Sequence, residues 1–279
     1  MLLRKNPLIN RIHAVGLAGA FLLASPGIYF GTAAPRIRKV EICSDRVPVR
    51  ADGLTIGVLA DLHIDNLNDA AKIRKVVELA NTLSPDIFCL LGDFTDGVQK
   101  QHFEALDELK NLRSKHGIYA VPGNHDYYCD YQAVAAHFRK MGFPFLENEN
   151  LLLEKFNVRI CGITDLRGRR AGELEPDIPL ALSDGSPEEY HILLSHRPQC
   201  AIAAAVFGAD LQLSGHTHGG LVWGFDRIIA KSCKGFGWGT HRVGKMFLVI
   251  SNGIGMWSGF PVRLGRPAEI LLVTLKRKK

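Results

Sequence analysis

Between Leu54 and Met141 short apolar runs alternate with stretches whose apolar residues recur at helical spacing. Four runs predict strands: Arg38 to Ile42, Leu54 to Ala60, Ile87 to Leu91, and Gly117 to Val121. Between them Ile73, Val76, Val77 and Ala80 predict a helix, with Asn68 or Asp69 as its N-cap. Phe103, Leu106, Leu109 and Leu112 predict a second, and Val134, Phe138 and Met141 a third. Such alternation predicts an α/β sheet. Beyond Met141 helical spacing becomes rare and strands crowd together: Val158 to Thr164, Ile192 to Ser195, Leu211 to Ser214, Met246 to Ser251 and Glu269 to Leu275. The expectation is one domain from about Arg36, built as two packed sheets with helices outside.

Several of these runs stop at a polar cluster. They end in Asp61-Leu-His63, in Gly92-Asp93-Phe-Thr-Asp96, in Gly123-Asn124-His125-Asp126, in Ser195-His196-Arg197 and in Gly215-His216-Thr-His218. Ligands and chemistry gather at the carboxyl ends of strands in open α/β sheets. Taken singly each cluster has an ordinary reading, since Asp at a strand end is commonly a cap and a lone His-x-His a surface pair. Five in succession point instead to a metal site. Carboxylate, carboxamide and imidazole without thiolate suit Mn, Fe or Zn and argue against a structural zinc site of the cysteine type. On extended backbone Asp61 and His63, like His216 and His218, share a face and reach one ion or two adjacent ones. Gly92, Gly123 and Gly215 are expected to let the chain turn tightly just before each ligand. Asp93, with two carboxylate oxygens, suits a bridge between two cations.

The amino terminus differs from all of this. Ile12 to Pro35 carries no charge other than neutral His13, long enough to cross a bilayer, and it follows Arg4, Lys5 and Arg11. Residues 1–35 are therefore read as a membrane anchor or signal segment, a retained anchor ahead of a cleaved one with Gly31-Thr32-Ala33 as the cleavage candidate, and 36–279 as the domain proper. Arg36, Arg38, Lys39, Arg46 and Arg50 slightly outweigh the preceding basic residues, which leans towards a cytoplasmic domain and leaves an exported one as the alternative. The chain has 279 residues, 47% hydrophobic and 22% charged, with a net charge of +6. The excess lies at the termini, so no basic, aromatic-interleaved stripe marks a nucleic-acid site, and anionic lipid or a phosphorylated substrate fits better. Six scattered cysteines, Cys89 and Cys161 among them in apolar runs, form no Cys-x-x-Cys pair and mildly favour a reducing compartment.

In the order Asp-x-His, Gly-Asp-x-x-Asp, Gly-Asn-His-Asp, a lone His, and Gly-His-x-His, the five clusters resemble the signature of the calcineurin-like metallophosphoesterases. Val249 to Gly255, Pro261-Val-Arg263 and Pro267 to Ile270 extend the likeness, which looks most like the membrane-associated YaeI/YkuE-type phosphodiesterases of bacteria. The resemblance implies a four-layer α/β/β/α sandwich of the metallo-dependent phosphatase type. It implies two divalent cations, Mn2+ foremost with Fe or Zn as alternatives. Asp61, His63, Asp93 and His218 would hold one, and Asp93, Asn124, His196 and His216 the other. His125 would serve the leaving oxygen, oriented by Asp96, and Asn124 and Arg197 would contact the substrate. Phosphoprotein phosphatases of this superfamily carry Arg where this chain has Gly97, which turns the expectation towards a phosphodiester or pyrophosphate. Arg197 or Arg263 is a candidate replacement clamp, with surface solvation the ordinary role for either. The runner-up substrate is a nucleotide-linked acyl sugar such as UDP-2,3-diacylglucosamine, as in lipid A biosynthesis, and the reading of another class is a non-catalytic scaffold. Trp257 to Phe260 would form a lipid-facing rim or pack in the core.

Overall fold

The computed structural model describes residues 7–256 and 261–278. Eleven strands form two sheets. The first is ordered β1 (Arg36–Ser44), β11 (Glu269–Arg277), β2 (Thr55–Leu59), β3 (Ile87–Leu91), β4 (Ile118–Val121). The second is ordered β5 (Glu149–Leu153), β6 (Val158–Gly162), β7 (Tyr190–Leu194), β8 (Leu211–Ser214), β10 (Met246–Ile250), β9 (Gly239–Val243). Within each sheet the central strands run parallel, β2 with β3 and β4, and β6 with β7, β8 and β10.

Side chains on a strand alternate between faces, and here both faces of the central strands are apolar. Ile87, Cys89 and Leu91 of β3 point to a core shared with Ile160, Ile192, Leu194 and Leu213 of the other sheet. Phe88 and Leu90 point the other way, into Ile73, Val76, Val77, Leu106, Val134 and Phe138. Those residues belong to α2 (Ala70–Asn81), α3 (Lys100–Asp107) and α5 (Tyr131–Met141), with the short α4 (Asn124–Tyr128) before α5. The outer face of the second sheet buries Leu193, Leu248 and Ile250 against Ile178, Ala181, Ala201 and Ala204. These come from α7 (Ile178–Ala181) and α8 (Ala201–Val206), while α6 (Gly168–Ala171) and α9 (Asp226–Ser232) lie in the connections. The layers are thus helix, sheet, sheet, helix, the expected α/β/β/α order.

Periodicity located the central strands because they are buried on both faces and read as unbroken apolar runs. It missed β5 and β9, which are the two edges of the second sheet and mix polar with apolar residues. The predicted helix from Phe103 to Leu112 ends at Asp107 and tightens into a 3-10 turn over Glu108–Asn111. Asp69 is the N-cap of α2, accepting from Lys72 N at 3.0 Å.

The charge-free amino-terminal stretch forms one helix, α1 (Pro7–Thr32), with Pro26 inside it. Only 12% of its apolar window is buried. Its carboxyl end nevertheless rests on the domain: Arg263 N donates to Gly27 O at 2.9 Å, and a Cβ on Gly27 would meet Val262 Cγ1 at 2.6 Å. Trp257 to Phe260, read above as a rim or core segment, lies outside the described residues.

Candidate metal centre

Sheet pairing continues past the strand ends and sets the first ligands. Beyond β2, Asp61 N donates to Gly92 O and His63 N to Asp93 O, both at 3.0 Å, so the segments after β2 and β3 stay in register. The second sheet does likewise, with Gly215 N donating to His196 O at 3.0 Å. Two bonds then join the sheets: His216 N donates to Asp61 Oδ1 at 2.9 Å, and His196 Nδ1 donates to Leu91 O at 2.7 Å. That second bond commits the Nδ1 proton and turns Nε2 of His196 towards the site, 3.1 Å from Asp93 Oδ2.

The residues converge in two adjoining groups. Asp61, His63 and His218 are all buried with their ligand atoms within 4.8 Å of one another, and so are those of Asp93, His196 and His216, the last half-buried. His63 Nε2 lies 3.1 Å from His218 Nε2 and 3.7 Å from Asp93 Oδ2, which places Asp93 between the groups. Asn124 is buried beside them, and with Asp93, His125, His216 and His218 it lines a cleft of about 340 Å³. His63, Asp93 and His125 also lie within one ligand-sized group.

Backbone conformation here departs from the expectation of extended chain. Asp61 (φ 55°), His63 (φ 45°), Asp93 (φ 53°), His216 (φ 70°) and His218 (φ 49°) all occupy the left-handed region. Non-glycine residues sit there at a cost, and such strain clusters where surrounding structure over-determines it. His216 and His218 fall in different groups, whereas Asp61 and His63 fall in the same one. The glycine expectation is also corrected. Gly92 does turn left-handed (φ 78°), but Gly123 is extended (φ −110°) and Gly215 makes no left-handed turn. They are glycine because a Cβ would strike Asp93 Oδ1 at 2.2 Å or Asp61 Oδ2 at 2.5 Å.

Asp96 does more than the sequence indicated. Its carboxylate accepts from His125 Nδ1 at 2.7 Å and from His63 Nδ1 at 3.0 Å. Burial resists its ionisation, yet these two bonds draw it down to about 2. A carboxylate on Nδ1 fixes the orientation of each ring and turns its Nε2 towards the site, the arrangement that orients metal-binding histidines. Burial likewise opposes charge on Asp93, but the imidazoles of His196, His63 and His125 hold it well below the usual carboxylate range. Asp61 is pushed up to about 6 by burial and by Asp93. Burial and the neighbouring cations force His216 and His218 well below the ordinary imidazole value.

Three further residues take parts that sequence reasoning did not assign to them. Asp126 is fully buried and accepts from the backbone N–H of Gly123, Phe94 and Asp93 at 2.7, 2.9 and 3.1 Å, pinning the Asp93 loop to the start of α4. Asp165 accepts from Arg197 Nε at 2.7 Å and so directs the guanidinium, whose Nη1 lies 2.9 Å from His216 Nε2. It follows the apolar run of β6, the same signal that marked the other ligands. Arg263 is the third. The expected surface solvation is wrong for it: the side chain is fully buried, and Nη1 and Nη2 donate to Asn252 O and Gly255 O at 2.9 Å. Its Nη2 lies 3.4 Å from His218 Nδ1, behind the ligand and away from the cleft. Being held by backbone carbonyls is a non-local outcome that charge alone could not signal.

The donor set tests well against a pair of divalent cations. Asn124 Oδ1 and His196 Nε2 are buried with no hydrogen-bond partner, although the latter is 3.1 Å from Asp93 Oδ2. Buried polar atoms are nearly always satisfied, so unsatisfied ones grouped with carboxylates and imidazoles fit cation ligands.

The family profile of the calcineurin-like phosphoesterases matches residues 54–220, a span that contains every candidate ligand. A metallophosphoesterase of Helicobacter pylori is 32% identical over 254 residues, 90% of this chain and 67% of its own length. A transmembrane protein with a metallophosphoesterase domain from Danio rerio is 31% identical over 267 residues, covering 92% of this chain and 61% of its own length. The metallophosphoesterase YkuE of Bacillus subtilis is 29% identical over 241 residues, 84% of this chain and 83% of its own.

Proposed function

The chain belongs to the calcineurin-like phosphoesterase family, and from that premise we propose that it is a binuclear-metal hydrolase of phosphodiester or pyrophosphate bonds, carried on a membrane by α1. One cation is held by Asp61, His63, Asp93 and His218, and the other by Asp93, Asn124, His196 and His216. The observation that carries this reading is the pair of unsatisfied buried ligand atoms, Asn124 Oδ1 and His196 Nε2, beside a carboxylate shared between two groups. When bound, the cations supply Lewis acidity and lower the pKa of water enough to make it a nucleophile near neutral pH. The oxygen-and-imidazole ligand set admits Mn2+, Fe or Zn, with Mn2+ the first cation to test.

The protein's own groups do the rest. His125 lines the cleft, and its Nδ1 is tied to Asp96, so Nε2 is the atom that delivers a proton to the leaving oxygen. Arg197 and Asn124 bind the phosphoryl oxygens, with Asp165 fixing the guanidinium. The preference for a diester over a phosphoprotein rests on Gly97. A Cβ at that position would meet the His102 ring at 2.5 Å, so no arginine projects from there to bind a dianionic monoester. Residues 36–279 constitute the hydrolase and 1–35 the anchor. Purified full-length protein loaded with Mn2+ should turn over bis-p-nitrophenyl phosphate faster than p-nitrophenyl phosphate and contain two metal equivalents by mass spectrometry. One equivalent or none would overturn the binuclear reading, and the reverse substrate order would overturn the diester assignment.

A further inference from the structure

The segment from Leu221 to Trp238, which follows the last ligand motif, is not built like the rest of the domain. Trp223 is 74% exposed and Ile228 63%, with Phe225 and Trp238 exposed as well. None of the seven residues of α9 is buried. A helix that short is marginal in water and needs an apolar face to pack on. Arg227, Lys231 and Lys234 are exposed along the same stretch, whereas its acidic residue, Asp226, is neutralised by Arg266 at 3.2 Å. Exposed Trp, Phe and Ile interleaved with unpaired Lys and Arg is the composition of a segment lying in a membrane interface.

Its place in the fold points the same way. Trp223 N donates to Leu264 O at 2.7 Å, and Leu264 N donates to Leu221 O at 2.9 Å. The next strip of chain along is α1, joined by the bond from Arg263 N to Gly27 O and by the contact of Gly27 with Val262. Trp223 therefore lies one strip of chain away from the carboxyl end of the apolar helix. The other edge of the segment supplies Ile229, Ser232 and Cys233 to the wall of the metal cleft. Ser232 also borders a neighbouring cleft of about 330 Å³ with Ile163, Ile178 and Ala203 in its lining.

We infer that Leu221 to Trp238 is a second membrane contact, seated on an anionic lipid surface beside α1, and that it opens the metal cleft towards amphiphilic phosphoesters held in that surface. This rests on reading α1 as an anchor. Trp223, Phe225 and Ile228 enter the interface, Arg227, Lys231 and Lys234 meet lipid phosphates, and the apolar cleft beyond Ser232 takes the aliphatic part of the substrate.

The test uses the full chain reconstituted in vesicles of phosphatidylcholine and phosphatidylglycerol, with Trp238→Phe and Trp257→Phe leaving Trp223 as the reporter. Lipids brominated in the acyl chains should quench and blue-shift its fluorescence. A chain that resists alkaline washing but whose Trp223 stays unquenched would overturn the inference while leaving the anchor intact, whether water or a second copy covers the patch. A chain that washes off would overturn the anchor reading and this one with it. In a second arm the triple variant Trp223→Ser/Phe225→Ser/Ile228→Ser should keep wild-type turnover of bis-p-nitrophenyl phosphate. It should lose on the order of tenfold on vesicle-embedded hexadecyl p-nitrophenyl phosphate. Equal turnover on the embedded ester would overturn the inference. Failure of the wild type on both esters would instead fault the hydrolase assignment, and the quenching result would still decide the membrane contact.

Discussion

The two ends of the sheets use the same side chains for opposite purposes. At the amino ends, carboxylates are paired. Asp86, just before β3, accepts from Thr55 N, Thr55 Oγ1 and Lys115 Nζ, at 2.9, 2.7 and 3.1 Å. Asp210, just before β8, accepts from Arg46 Nε at 3.0 Å and from His191 N at 2.9 Å. At the carboxyl ends, carboxylates and imidazoles crowd together on left-handed backbone with ligand atoms left unsatisfied. A sheet stabilises itself at one end and stores unmet electrostatic demand at the other, which is where a cation pair fits. Substitutions at the two ends should separate accordingly, activity from stability.

The sharpest break is Asp93→Asn, because the proposed binuclear site has this carboxylate serve both groups. Turnover of bis-p-nitrophenyl phosphate should fall by on the order of 10³-fold or more, with metal content dropping in parallel. Retention of two equivalents with near-normal turnover would remove Asp93 from its central place. His125→Ala should keep both metals and lose roughly 10²–10⁴-fold on an alkyl diester. It should lose far less on a p-nitrophenyl ester, whose leaving oxygen needs little protonation. Equal losses on both esters would leave His125 as an electrostatic stabiliser only.

Arg263→Met sits under the carboxyl end but touches carbonyls, so it tests the boundary between the two behaviours. Leaving those carbonyls unmet should cost roughly 1–3 kcal/mol in urea unfolding of the metal-free protein. At the amino ends, Asp210→Ala should cost about 1–2 kcal/mol and leave turnover of the soluble diester unchanged. A loss of turnover there would show that the two ends are coupled.

The smallest effect is at Asp86 and carries a pH signature. Burial opposes its ionisation, but the bonds from Thr55 and Lys115 hold the carboxyl below the usual range. A depressed carboxyl stabilises the fold above its unfolded pKa, and that stability is lost as pH falls through the folded pKa. The difference in unfolding free energy between wild type and Asp86→Asn should therefore be full at neutral pH, at under ~1 kcal/mol for so partly exposed a pair. It should begin to close near about pH 4 and vanish below the folded value. A gap that persists in acid would show that the effect does not depend on the charge of the Asp86 carboxylate.

Local pattern determined a good deal. Apolar runs of strand length marked β2, β3, β4, β7 and β8, and the polar cluster at which each run stops marked the candidate ligands Asp61, Asp93, Asn124, His196 and His216, because burial on both faces and chain termination at a rim are both written in consecutive residues. The edge strands β5 and β9 were not legible, since half of each faces solvent or a loop and its pattern blurs. The tertiary structure decided everything that depends on which distant segments meet. It gave Asp96 a second imidazole, His63, and placed Asp165 behind Arg197. It buried Arg263 among the carbonyls of Asn252 and Gly255, and it divided His216 and His218 between two groups. It also set Trp223 one strip of chain from the end of α1, a neighbourhood made by bonds between Leu264 and residues some forty positions earlier in the chain. Such pairings depend on sheet register and loop closure, and no window of neighbouring residues contains them.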